Sequence, residues 1–381
     1  MFNHESDRTM KLITIKKLTL LALLCSLPFA SQAANDDDTA LFVSKADARV
    51  AHASAFRNGW DGPKTGPKLA EDKLIVFIGN DLAGDSSVQK LASKVKEVIG
   101  TIGWHIQIID CYGLPARRQE AFYRAMALKP AAIIFADADA KPEAKAIAQA
   151  AEKKIPVIGW HAALTTGPVD GLFTNIGTDP KDAGQLAAYL AIADSRGKAG
   201  VVIFSDTSSV NLATKSIGMI EAIKACQTCS LLRVEQITPG EKPDQILHSL
   251  SAMSKELGPR LTYVLATNDH LFDDLSGTEA NNAFGGEAKF QVIGAGFGSS
   301  NAFTRMHAKK LQIGTVAEPI NMQAWQLIDE ANRAIAGEKP SGYNPESYIA
   351  TVQNLAYHGG QNNNFDPANG YQDAYKKIWG K

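Results

Sequence analysis

A chain of 381 residues is close to twice the usual domain length of roughly 100–200 residues, so length predicts two domains or one unusually large one. At 45% hydrophobic and 21% charged, with 31 Gly and 16 Pro, the composition excludes a disordered, collagen-like or disulfide-dense chain. The 39 Lys and Arg balance 40 Asp and Glu to a net charge of -1, which excludes a general electrostatic attraction for nucleic acid or anionic lipid.

Lys11, Lys16 and Lys17 precede an apolar run at 18–27, and the small residues Ala30, Ser31, Ala33 and Ala34 follow it. That order predicts a secretory signal peptide over 1–33, cleaved after Ala33 or Ala34. A membrane anchor needs about 20 apolar residues, whereas this run is roughly half that and ends at Pro28. Leu24 is too bulky to precede a lipid-attachment Cys25, so a soluble exported protein is the better reading. Without the signal, 35 basic residues face 38 acidic ones, a net charge of -3. In an oxidising compartment Cys226 and Cys229, in Cys-Gln-Thr-Cys, predict a short-loop disulfide, while Cys111 stands alone. A thioredoxin-like redox pair opens a helix directly after a strand, but this pair follows a predicted helix. No second ligand pair at zinc spacing is present, so neither a metal nor a cofactor is expected.

The stretch 35–69 shows neither strand nor helix period, and Trp60-Asp-Gly-Pro-Lys-Thr-Gly-Pro near its end is turn-rich, so 34–72 reads as an N-terminal arm. From Lys73 onward the pattern alternates. Strands are predicted at 74–79, 105–110, 131–136, 156–160 and 172–176, with helices at 86–102, 117–127, 142–153 and 182–193. The alternation then starts again, with strands at 200–205, 231–236, 263–267, 291–294 and 311–316 and helices at 211–225 and 243–256. A long helix at 319–336 and a last strand at 348–355 follow, and an Asn-rich loop leads to a short aromatic helix ending near Trp379. Short apolar strands between amphipathic helices predict an α/β fold of two doubly wound parallel-sheet lobes.

In open parallel sheets, ligands bind beyond the carboxyl ends of the strands, and two facing lobes would place the site in the cleft between them. The polar strand-end residues are therefore the candidates: Asn80, Asp81, Asp137, Asp139, His161, Asp206, and Asn268 with Asp269. Each alone is more often a helix cap or a loop-ordering group. Their recurrence at strand after strand is what lifts the set.

Four stretches carry a resemblance: Ile155-Pro-Val-Ile-Gly159, Ile176-Gly-Thr-Asp179 leading to Gly184, Leu265-Ala-Thr-Asn-Asp269, and Val292-Ile-Gly-Ala-Gly296. Over roughly 73–355 the chain resembles the ribose-type periplasmic sugar-binding proteins, the type I substrate-binding subunits of ABC transporters. The resemblance implies two lobes joined by a three-crossing hinge that closes on a ligand. Crossings are expected near 194–199, 316–319 and 342–347. This divides the chain into a first lobe of 73–195 plus 318–344, a second of 196–317 plus 345–360, and a tail of 361–381. Family members fix sugar hydroxyls with an Asp-Arg pair after the Ile-Pro-Val strand, where this chain has Trp160-His161-Ala162. A second family Arg falls near Ala213, and a family Asp falls at Ala295 or Gly296, before Phe297. Asn268 alone of the clamp is kept.

The resemblance implies a periplasmic solute-binding protein that works with a membrane ABC permease or sensor and takes a sugar-like ligand, and with no oligomer signal in the sequence a monomer is expected. The missing clamp and nearby Trp160 and Phe297 leave open a less polar ligand, aromatic or lipid-like. Trp160 reads either as core or as a stacking surface, whereas Trp104 and Trp325 read as packing residues. Glu318, before Pro319 at a crossing, is a hinge residue or a ligand acceptor. An enzyme is not expected, since no nucleophile elbow, His-Glu-x-x-His or Walker loop is present. Gly294-Ala-Gly296-Phe-Gly298 suggests a dinucleotide site, but Ser299 stands where the third Gly is required. A repressor of the related two-lobe type would need a helix-turn-helix where the signal peptide stands.

Overall fold

The computed structural model describes residues 28–83, 86–237, 243–275, 283–284 and 288–381. Of the expected signal sequence at 1–33, residues 1–27 lie outside the described residues and 28–33 belong to the first turns of a helix. In the first lobe, strands β1 (Leu74–Gly79), β2 (His105–Asp110), β3 (Ala132–Ala136), β4 (Val157–Trp160) and β5 (Thr174–Ile176) form a parallel sheet of order β2-β1-β3-β4-β5. Its central strands are wholly apolar because helices cover both faces. On one face lies α2 (Ser86–Ile102), whose Val88, Leu91, Val95, Val98, Ile99 and Ile102 form a helical stripe. On the other lie α3 (Pro115–Ala127) and α4 (Ala144–Glu152). Strand β2 alternates exposed and covered residues, as an edge strand should.

The second lobe contains α5 (Pro180–Asp194), β6 (Gly200–Asp206), α6 (Val210–Ala225), β7 (Ser230–Ile237), α7 (Pro243–Leu257), β8 (Tyr263–Ala266), β9 (Gln291–Phe297), α8 (Ser300–His307) and β10 (Gln312–Ala317). Helix α9 (Ile320–Ile335) returns to the first lobe and packs on α2. Strand β11 (Tyr348–Thr351) completes a second sheet of order β11-β10-β9-β8-β6-β7, and helix α10 (Tyr371–Trp379) ends the chain on the first lobe. All pairs in this sheet are parallel except β10 with β11. The last strand thus departs from the all-parallel expectation, as an edge strand reached from the other lobe can.

Three expectations are corrected. The arm is largely helical, since α1 (Pro28–Ala53) runs through its first half. Its buried face includes Ala46 and Ala53, so the contrast with its polar face is slight and no period stands out. Helix α5 was expected in the first lobe but packs on β8, β9 and β10 of the second, with Leu186 and Leu190 in one core cluster with Val201, Ile203, Leu265 and Ile293. The first crossing is therefore at 177–179, ahead of α5 rather than behind it. Strand β9 also runs three residues past its expected end, to Phe297. A Cβ on Gly294 would lie 1.9 Å from Asp269 Oδ1, and one on Gly296 2.1 Å from the Asp269 nitrogen. These glycines admit the buried Asp269, which accepts from Gln312, Ser299 and Thr315.

Cys226 and Cys229 are joined by a disulfide at the end of α6. Cys111 is a buried free thiol whose pKa burial pushes up to about 11.

Candidate functional site

The carboxyl ends of the two sheets meet. His161, directly after β4, and Glu318, directly after β10, bond across the lobes with Nε2 and Oε2 2.8 Å apart. Thr178, in the first crossing, donates its hydroxyl to Glu318 Oε1 at 2.6 Å. Gln323 on α9 donates to Oε2 at 2.9 Å, and its own Oε1 accepts the indole N–H of Trp160 at 2.9 Å. Asn211, in the first turn of α6, donates to the His161 carbonyl at 2.8 Å. Phe297 at the end of β9 packs on Trp160 with ring centroids 5.9 Å apart and edge-on to His161 at 5.3 Å. One polar and aromatic cluster therefore ties β4 and the first crossing to β9, β10 and the second crossing.

The cluster is dry. Trp160 is 0% exposed, His161 and Glu318 3%, and Lys215 2%. Lys215 enters from α6, donates to the Ala295 carbonyl at 2.7 Å and holds its ammonium 4.0 Å from the Phe297 ring centroid. Its backbone is set by a close helix crossing, where a Cβ on Gly184 of α5 would lie 2.0 Å from the Lys215 carbonyl oxygen. Burial alone would push the Glu318 carboxyl up. The His161 charge and hydrogen bond, the Lys215 charge and the Thr178 hydroxyl outweigh it and hold the carboxyl down to about 2. Glu318 is thus an ionised acceptor fully engaged inside the protein.

His161 and Phe297 adopt positive φ angles of 49° and 65°, and Asp137 one of 59°. For a bulky residue such as Phe297 this conformation costs about 1–3 kcal/mol and persists only where the surroundings enforce it. Here each such residue ends or directly follows a strand, and the side chains of His161 and Phe297 lie within the interlobe cluster.

The nine predicted ligand residues separate into two groups. Trp160, His161, Phe297 and Glu318 are brought together in the cluster. Asn80, Asp81, Asp137, Asp206 and Asn268 stay half-exposed at the ends of β1, β3, β6 and β8. Asn80 accepts from Arg118 at 3.0 Å, while Asp206 and Asn268 each accept a backbone N–H two residues on, from Ser208 and His270. Asp139 likewise accepts from the Lys141 N–H. Asn211, Lys215, Thr178 and Gln323 were not predicted. Lys215 had a signal: Asn211, Lys215, Gly218 and Ala222 recur at helical spacing on the buried face of α6, so a lysine falls within a core stripe. A separate cavity of about 460 Å³ between the end of β2 and α3, lined by Leu82, Tyr112, Arg117 and Arg124 among others, contains none of the nine. Among the described residues no group of His, Cys, Asp and Glu is arranged to hold a metal.

The periplasmic binding protein domain family matches residues 75–339. No curated protein matches the chain significantly in sequence. Solved structures share the fold. The myo-inositol binding protein of Caulobacter, bound to myo-inositol, is 19% identical with a TM-score of 0.64, covering 76% of this chain and 97% of its own. The arabinose transporter binding component of Shewanella sp. ANA-3, bound to arabinofuranose, is 15% identical with a TM-score of 0.62, covering 80% and 95%. A carbohydrate transporter solute binding protein of Agrobacterium radiobacter, in complex with D-arabinose, is 19% identical with a TM-score of 0.61, covering 75% and 96%.

Proposed function

The chain belongs to the periplasmic binding protein domain family, and we propose that it is an exported solute-binding protein that takes a small polyhydroxylated, sugar-like ligand between its lobes. It presents that ligand, as a monomer, to an ABC permease. The observation that carries this reading is the edge-to-edge meeting of the sheets through His161, Glu318 and Thr178. On this reading Asn80, Asp81 and Asp137, half-exposed at strand ends of the first lobe, and Asp206 and Asn268, half-exposed at strand ends of the second, face the ligand from the two sides. Three carboxylates and two amides form a rim suited to accepting from ligand hydroxyls. The cluster is its floor and pivot. The solved structures of similar fold, bound to inositol and arabinose, point to the same ligand chemistry.

A less polar ligand is the weaker reading. Trp160 is wholly buried with its indole N–H bonded to Gln323, so it offers no free ring for stacking. The binding task asks for no covalent chemistry. Its location in the periplasm rests on the family together with the leader pattern at 1–33, and no helix among the described residues is long and apolar enough to cross a membrane.

A thermal-shift screen of the mature protein tests the reading. A ligand of the native state raises Tm with the logarithm of its concentration over Kd. Sugars and polyols are expected to raise Tm, and aromatic or lipid-like compounds are not. Shifts confined to the second panel would overturn the sugar-like assignment.

A further inference from the structure

About a quarter of the chain lies outside the fold shared with the solved structures, which cover 74–80% of it. The segments that flank the family match at 75–339 belong to neither lobe alone. The N-terminal part begins on the second lobe. There Phe42 of α1 meets Tyr189, Ala46 and Ala53 enter the core with Val201 and Ile203, and Arg49 pairs with Asp182. By Trp60 the chain has changed lobes. The indole packs on Tyr343 and Tyr375 at 5.2 Å each, and residues 65–70 are fastened to the first lobe by Arg333 and Asn332 of α9 and by the Trp379 carbonyl.

The C-terminal part makes the same passage. Leu355 and Phe365 sit with Phe303 and Met306 of the second lobe, whereas Tyr371, Tyr375 and Trp379 sit with Trp325 in the core of the first. Asp366 is the junction: its N–H donates to the His358 carbonyl at 2.7 Å, and its carboxylate accepts from Asn321 at 3.0 Å and from Tyr371 at 3.0 Å.

We propose that residues 57–59 and 366–370 are two additional lobe crossings that turn the three-crossing hinge into a five-crossing one and narrow the range over which the lobes open. The first is pinned beside the third crossing, near 342–347, and the two are linked through His358. Arg57 bonds Glu346 at 2.5 Å, and Phe56 stacks on His358 at 4.9 Å. Hinge motion is absorbed by backbone rotation in a few crossing residues. A crossing of three to five residues reaches only about 10–18 Å when fully extended. Each end here is anchored in a core, so little slack remains for the lobes to separate.

The restraint is read without any ligand, so its failure is separable from failure of the solute-binding assignment. Spin labels are placed through Gln119→Cys on α3 and Ala252→Cys on α7, both exposed, and the interlobe distance distribution is measured by pulsed electron resonance. Flexible insertions of six Gly and Ser residues follow Gly59 in one variant, Gly370 in another, and both in a third. Gly59 and Gly370 have open space around the Cβ position. Lengthening either crossing is expected to broaden the distribution and move its mean outward by several ångströms, with the largest shift when both are lengthened. The same measurement on the exposed pair Phe56→Ala with Arg57→Ala, which leaves chain length unchanged, is expected to broaden it to a smaller degree. Distributions superimposable on that of the parent labelled protein in every variant would overturn the proposal.

Discussion

The strand ends around the cleft live in two environments. At the ends of β4, β9 and β10, the residues Trp160, His161, Phe297 and Glu318 are sealed from water and spend their polar groups on one another. At the ends of β1, β3, β6 and β8, the residues Asn80, Asp81, Asp137, Asp206 and Asn268 remain half-exposed, and Asn80, Asp206 and Asn268 accept hydrogen bonds from within their own lobe. The same type of sequence position thus meets two fates, joining the lobes in one place and staying half-exposed at a strand end in the other. What separates them is distance from the crossings. Thr178 and Glu318 belong to the crossings themselves, and whatever touches them is buried with them.

The comparison is broken most strongly at Glu318. Glu318→Ala leaves His161 and Lys215 buried without their carboxylate and is expected to cost about 3–5 kcal/mol in chemical denaturation. A loss below about 1 kcal/mol, the value of an exposed pair, would place Glu318 with the rim instead. Trp160→Ala removes a fully buried ring from the first-lobe core and is expected to cost about 3–5 kcal/mol, measured the same way.

Acid provides a sharper test. The Glu318 carboxyl titrates near 4.5 when unfolded and is held down to about 2 in the folded chain. Its contribution is therefore complete above pH 4.5 and is lost as pH falls from 4.5 toward 2. Glu318→Gln should lower stability at neutral pH and reduce the steepness of the acid loss within that window. A parallel pH profile for parent and variant would contradict the assignment. At the rim the expected effect moves from stability to binding. Asn268→Ala should weaken a sugar-like ligand by about 1–3 kcal/mol in calorimetric titration while leaving Tm nearly unchanged, because hydroxyl partners are left unpaired. An unaltered affinity would remove Asn268 from the binding surface.

Much of this was legible in the sequence for reasons that can be named. The apolar runs at β1, β3 and 200–204 of β6 are strands because both faces are covered, and the alternation with amphipathic helices follows from parallel pairing. Two features escaped. Helix α1 buries a face built partly of alanines, whose small size gives little amphipathic contrast although alanine favours helix. The assignment of α5 to the second lobe depends on which sheet its apolar face meets, and both sheets offer apolar faces.

By itself the sequence determined the two-lobe α/β class, the Cys226–Cys229 pairing and the set of strand-end residues from which a site would be drawn. Those properties are local: they follow from hydrophobic period, from short separation along the chain, or from the rule that parallel strands end together. Tertiary structure decided which strand ends would be buried, where the chain first changes lobe, and that Asn211, Lys215 and Gln323 would bond residues 50, 80 and 163 positions away in sequence. Hydrogen bonds such as His161 to Glu318 span 157 positions. No local pattern encodes such a pairing, because its geometry exists only once the carboxyl ends of two separate sheets are brought together.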